Sequence, residues 1–297
     1  MKKLFTTSVL GASLLALSAC GESEAGELTV GGKNFTEQFV LSEITAIYLE
    51  ENDYDVERSA NMGSEVVREA LENGQVDLYW EYTGTALVNY LDQEPLAEGE
   101  EAYEIVKEMD KEEFGIQWLD MAELNNAYTL MMRSEDAEEK GIESISDLAD
   151  YVNENPEDIT FATNAEFAER EDGLPGVEDE YGFEFADVSQ MDSGLTYQAL
   201  NDGQVEVAMG FETDPRIVDF DLVTLEDDLT FLPAYNGAVT VHEDALETNP
   251  DLEELLAPLA ELLTSEEASQ LNYEVDVAER SETEVAREWL EENGLLD

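Results

Sequence analysis

The chain has 297 residues, 43% of them apolar, and carries 74 acidic against 13 basic side chains for a net charge of −61 at neutral pH. That length buries one large core or two medium ones, and the apolar fraction is too high for a disordered chain. A field of that sign excludes nucleic acid as a partner and repels anionic lipid, and because about 1 M salt shortens the Debye length to roughly 3 Å, the composition points to a protein that works in concentrated brine.

Residues 1–20 begin with Lys2 and Lys3, continue through an apolar run from Val9 to Leu17, and end in Leu17-Ser18-Ala19-Cys20. This is the layout of a bacterial-type export signal. Its last four residues resemble a lipobox, whose cysteine is lipidated and becomes the first residue of the mature protein, which accounts for the single cysteine. No other segment approaches the roughly 20 apolar residues that span a bilayer, so the expectation is an extracytoplasmic body held to a membrane by acyl chains. Residues 21–26 read as a polar linker.

The fold starts at Glu27. Leu28 to Val30 read as a strand, and the turn Gly31 to Thr36 leads into a helix with Val40, Ile44, Ile47 and Tyr48 at helical spacing. Val56 to Arg58 read as a second strand. Ser64 is placed to cap a helix through Leu71, Asn73-Gly74 to close it, and Val76, Leu78 and Trp80 to follow as a strand. Further on, Ile145 to Val152 read as a helix and Ile159 to Ala162 as a strand. Pro250 is expected to open a helix through Leu263, and Ser281-Glu282-Thr283-Glu284 is a capping box before a helix that ends at Gly294.

One passage occurs twice, 129 residues apart: Ala70 to Tyr82 (ALENGQVDLYWEY) and Ala199 to Phe211 (ALNDGQVEVAMGF). Each reads as helix end, turn and strand, with Gly74 matching Gly203, Val76 matching Val205, and Tyr82 matching Phe211. The alternation of strand and helix around each copy implies two doubly wound α/β lobes. Each lobe then presents an aromatic ring at the carboxyl end of a strand, where such sheets bind ligands. Two facing rings suit a ligand with a greasy cationic head. A shared helix-to-strand passage of this kind is also common in α/β proteins, and Tyr79 and Trp80 read as core.

The chemistry available is limited. With His242 as the only histidine and Cys20 consumed by the lipid, the common nucleophilic triads and histidine-bearing zinc sites read as lacking material, and no pair among the acids stands out as a hydrolase dyad. The reading is therefore not an enzyme, with no cofactor and no metal. Acidic runs such as Glu98 to Glu101 read as solvated faces, and Arg280 and Arg287 as ion-paired surface cations. Lys33 stands apart, because a Gly-rich strand-to-helix turn is a ligand position where helix starts favour anions.

Four separated segments carry a family resemblance: Gly32 to Gln38 (GKNFTEQ), Asp77 to Thr85 (DLYWEYTGT), Asn125 to Tyr128 (NNAY), and Phe167 to Gly173 (FAEREDG). The chain resembles the substrate-binding lipoproteins of osmoprotectant ABC importers, the glycine betaine/choline/carnitine-binding family with the bilobed type II periplasmic-binding fold. The resemblance implies lobe I from residues 27–126 and 237–297, and lobe II from residues 127–236. It implies an aromatic cage of Tyr82, Tyr128, Phe211 and Tyr235, and a carboxylate clamp of Lys33, Arg170 and Thr85. The physics fits: a trimethylammonium group has no N–H to donate, so ring faces are what remain to recognise it, each worth about 0.5 to 2 kcal/mol. A carboxylate at the other end calls for charge-assisted bonds.

Phe211 departs from the family, which usually has tyrosine there, and Ala127 replaces a residue that is commonly threonine. Without the resemblance, Tyr128 and Tyr235 read as half-buried tyrosines and Arg170 as a cation paired to Glu169 or Glu171. The implied role is a monomeric binding protein that closes on a quaternary amine, most favourably glycine betaine, and delivers it to a membrane permease. The alternatives are choline, carnitine or proline betaine. Choline is disfavoured because, lacking a carboxylate, it leaves Lys33 and Arg170 without a partner.

Overall fold

A computed structural model describes residues 26–296; the export signal, Cys20 and residues 21–25 of the linker lie outside the described residues. Two five-stranded sheets carry the fold. The first contains β1 (Glu27–Lys33), β2 (Asp55–Met62), β3 (Leu78–Tyr82) and β4 (Ile116–Asn125). The second contains β5 (Tyr128–Arg133), β6 (Thr160–Thr163), β7 (Asp187–Gln190), β8 (Val207–Phe211) and β9 (Leu222–Thr224). The chain then returns to the first sheet through β10 (Asn236–His242).

The strand orders are β2-β1-β3-β10-β4 and β7-β6-β8-β5-β9. Each sheet therefore holds three parallel strands followed by an antiparallel one, β10 in the first and β5 in the second. Under this correspondence β3 matches β8, so the repeated passage occupies the same place in both lobes. Gly74 and Gly203 close the preceding helices at φ of 64° and 67°, backbone that side-chain-bearing residues rarely adopt.

The central strands β3 and β8 are buried along their whole length, as expected for strands covered on both faces. On the first sheet one core gathers Leu28, Val30, Ile44, Ile47 and Trp80 under the C-terminal helices, and another gathers Val67, Leu71, Tyr79 and Trp118. Helix α1 (Thr36–Glu51) packs against the helix Glu282–Glu292, which ties the chain's end to its beginning.

Several local expectations shift. Ser64 is the first residue of helix α2 (Ser64–Glu72) and Gly63 is its cap, which leaves the Ser64 hydroxyl free for another partner. The helix expected from Pro250 begins at Leu252, since Pro250 and Asp251 belong to the approach, and it runs to Leu262 with Pro258 inside. Ser281 caps Glu282–Glu292 by accepting from the Glu284 N–H at 3.3 Å, whereas a reciprocal box forms at Ser144 and Asp147. Tyr79 and Trp80 are core, each 1% exposed. No described helix is long and apolar enough to cross a membrane.

Candidate functional site

The carboxyl ends of β3 and β8 face one another across the junction of the two sheets. Tyr82 ends β3 and Phe211 ends β8, while Tyr128 starts β5 directly opposite Phe211 in the antiparallel register. Tyr235 sits just ahead of β10, its backbone N–H donating to Asn125 Oδ1 at 2.7 Å. Lys33 closes β1, Thr85 follows β3 in a short helical turn, and Arg170 lies after β6. All seven line a single cavity.

That cavity holds about 20 Å³ of free space, room for little more than one water. The rings fill the rest. Tyr128 lies 5.0 Å from Phe211 and 5.3 Å from Tyr235, the latter edge to face. Tyr82 meets none of these three rings directly. Phe35 stands between, stacked on Tyr82 at 6.2 Å and on Phe211 at 5.1 Å. A ligand of several heavy atoms is far larger than one water, so it would fit here only if lobes part or rings move.

Both cations of the site are already paired. Lys33, 2% exposed, forms an ion pair with Glu81 and lies over the Tyr82 ring at 5.2 Å. Glu81 is in turn held by the Tyr79 hydroxyl at 2.6 Å and the Tyr82 N–H at 2.6 Å. Arg170 donates through Nε at 2.8 Å and Nη2 at 2.5 Å to the buried carboxylate of Asp172, not to Glu169 or Glu171. Its Nη1 and Nη2 edge faces the Thr85 hydroxyl at 3.4 Å. Its guanidinium lies over Tyr128 and Tyr235 at 5.3 and 5.9 Å.

Asp172 joins these parts. Besides Arg170 it accepts from the Tyr235 hydroxyl at 2.7 Å and from the Asn89 amide at 3.2 Å. Burial pushes its carboxyl upward, yet the Arg170 pair and the Tyr235 and Asn89 bonds outweigh that and hold it below the ordinary carboxylate value. Burial lowers the Arg170 guanidinium, but Tyr128, Asp172 and Tyr235 carry it the other way, well above its ordinary value. Arg170 stays charged.

The pairing overturns one sequence argument. A ligand without a carboxylate strands neither Lys33 nor Arg170, because Glu81 and Asp172 already neutralise them, so choline is not disfavoured on that ground.

Four residues that the sequence reading passed over shape the site. Phe35 completes the ring stack, Asp172 and Glu81 fix the cations, and Glu37 lies behind Tyr82, accepting from its hydroxyl at 2.6 Å. All four fall inside the motifs GKNFTEQ, DLYWEYTGT and FAEREDG. Motif membership was thus the available signal.

Residues 26–292 match the family described as the substrate binding domain of ABC-type glycine betaine transport system. The chain is 39% identical to the glycine-betaine-binding protein of Pseudomonas aeruginosa over 95% of this chain and 92% of that one. It is 32% identical to the carnitine transport binding protein of Listeria monocytogenes, over 99% of this chain and 96% of the other. Among solved structures, a glycine betaine/carnitine/choline ABC transporter protein aligns with a TM-score of 0.73 and 28% identity, covering 91% of this chain and 100% of that one. Its two α/β lobes are those of the periplasmic binding proteins, and the chain belongs to the family of substrate-binding domains of ABC-type glycine betaine transporters.

Proposed function

We propose that this protein is the extracytoplasmic solute-binding component of an ABC importer, closing two lobes around a quaternary-amine compatible solute and presenting it to the permease. Glycine betaine is the ligand that fits best. The observation that carries this reading is the convergence of Tyr82, Tyr128, Phe211, Tyr235, Lys33, Arg170 and Thr85, drawn from distant stretches of chain, on one cavity between two lobes. The rings take the trimethylammonium group, and the Nη1 and Nη2 edge of Arg170, with the Thr85 hydroxyl, takes the carboxylate. Closure shifts an existing open–closed equilibrium, and no bond is made or broken.

Choline is the second reading, favoured by the internal pairing of Lys33 with Glu81 and Arg170 with Asp172. Carnitine and proline betaine share the same head chemistry. The lobe bounds at residues 126–127 and 236–237 are supported at the first crossing, which runs from β4 to β5 between Asn125 and Tyr128, while the return from β9 to β10 lies between Thr224 and Asn236 and leaves Asn236 in the first sheet. The mature protein works as a monomer in molar salt, anchored through a lipidated Cys20; the basic start, apolar run and Leu17-Ser18-Ala19-Cys20 support the anchor, and the net charge of −61 supports the brine.

Calorimetric titration of the mature protein in molar salt with glycine betaine, choline and proline tests the reading. Tight betaine binding with weak proline binding is the expected result. Failure of the folded protein to bind any quaternary amine overturns it.

A further inference from the structure

Glu37 is a carboxylate 3% exposed at the first turn of α1. Its partners are the Tyr82 hydroxyl at 2.6 Å, the Asn126 amide at 2.9 Å, the Thr213 hydroxyl at 2.8 Å and the Asn272 amide at 3.5 Å. Every one of them is neutral. Among the described residues no lysine, arginine or histidine pairs with it. The other charges near it are Asp214, Arg216 and Asp276, which line the same cavity of about 200 Å³, and they are occupied with each other. Lys33, over the face of the Tyr82 ring, belongs to Glu81.

A buried carboxylate without a counter-charge is costly, and proteins keep one rarely. Here it lies directly behind a ring of a cage shaped for a cation. We propose that Glu37 is a specificity-determining positioning residue whose charge, relayed through the Tyr82 hydroxyl, makes the cage select a quaternary cation over a neutral group of the same shape. The proposal rests on the quaternary-amine reading of the cage.

The relay has a physical basis. A phenol that donates to a carboxylate carries more electron density in its ring, and the negative ring face is what attracts the cation. The charge itself adds a direct attraction, because the Tyr82 side chain between it and the cage is buried. Glu37 also spans the two lobes, since Tyr82 belongs to β3 and Thr213 follows β8. Its counter-charge is therefore completed when the lobes hold a cation between them.

The test compares choline with dimethylbutanol, the neutral alcohol in which a tert-butyl carbon replaces the quaternary nitrogen, by competition titration on wild type and Glu37→Gln. Gln keeps the shape, and a turn of the Asn272 amide, whose nitrogen now faces Glu37, would present its unpartnered Oδ1 to the new NH2 group. The expected result is a 10- to 30-fold loss of the choline preference, about what one charge roughly 8 Å away contributes at an effective dielectric near 20. Thr213→Val removes the same inter-lobe bond without removing charge and should weaken both ligands alike. If Glu37→Gln also weakens both alike, Glu37 is only structural and the proposal fails. If wild type binds neither choline nor betaine, it is the cage reading that fails instead.

Discussion

Glu166 reaches from the second lobe to the amino end of a first-lobe helix at Ser64, where Oε1 accepts from the backbone N–H at 2.8 Å and Oε2 from the hydroxyl at 2.9 Å. The carboxylate thus does across the cleft what a capping side chain does within a chain, and it meets the positive end of α2. It latches the two lobes to each other in this structure. Glu166→Ala removes two charge-assisted bonds worth about 1.5 to 3 kcal/mol each before reorganisation. The population of closed, ligand-free protein should fall, and betaine affinity should drop about tenfold through the closure equilibrium. Small-angle scattering with and without ligand checks this: a ligand-free envelope unchanged by the substitution removes the latch.

Arg170→Ala should weaken betaine binding by about a hundredfold and choline binding far less, because on the proposed reading only a carboxylate-bearing ligand uses the guanidinium edge beside Thr85. Folding should suffer too. Asp172 is 0% exposed, and the substitution strands its charge, a loss of about 3 to 5 kcal/mol. The pH sign follows from its depressed value. In wild type its contribution is present above the ordinary aspartate value and lost as pH falls through the folded one. In Arg170→Ala the order reverses, and melting curves should show the variant's deficit shrinking in acid. Equal losses of betaine and choline would remove the carboxylate role.

Phe35→Ala opens the stack between Tyr82 and Phe211. The two rings then lose their common neighbour, and quaternary-amine binding should weaken about tenfold, the scale of one cage ring. Phe35→Leu restores volume without a π face and should recover little. Full recovery in titrations of Phe35→Leu means that the position needs bulk and not a ring.

Much of this was legible in the residues. The repeated passage placed Tyr82 and Phe211 at equivalent strand ends, and β3 and β8 hold equivalent positions in sheets of matching order. The antiparallel strands were harder to see. β4 (IQWLDMAELN) and β10 (NGAVTVH) carry no turn signal that tells where they pair, and their partners lie more than a hundred residues away. Ser64 misled because serine before an apolar run suits a cap, yet Gly63 takes that place and the hydroxyl serves Glu166. The pairing of Lys33 and Arg170 was hidden for a related reason. In a chain with 74 acids, nothing in the order of residues says which two are buried beside a cation.

Salt should govern the fold. The ion pairs Arg58 with Glu50 and Glu43, and Arg280 with Glu274 and Glu288, sit on exposed faces and offset few of the carboxylates. Exposed pairs of this kind contribute little each. Self-repulsion should therefore unfold the protein in dilute buffer and relax as the Debye length shortens. Circular dichroism melts in potassium chloride at about 0.1 M and about 2 M, where that length falls below roughly 3 Å, should differ by tens of degrees. Equal melting in both shows that the charged surface costs little.

Glu37 sets opposite pH demands on stability and binding. Burial raises its carboxyl above the ordinary value, and the bonds from Tyr82, Thr213, Asn272 and Asn126 only partly offset that. For an acid raised in the folded state, stability is fully present below the unfolded value, 4.5, and is lost as pH rises through the folded value. Ligand-free protein should thus grow less stable toward alkaline pH on this account, and Glu37→Gln should melt higher than wild type there, with the gap closing in acid. A quaternary cation favours the ionised carboxylate, so choline binding should tighten as pH rises through the same range and release protons. Calorimetry in buffers of different ionisation enthalpy reads that release directly. In Glu37→Gln both the release and the pH slope should vanish, and proton release that persists in the variant assigns the titrating group elsewhere.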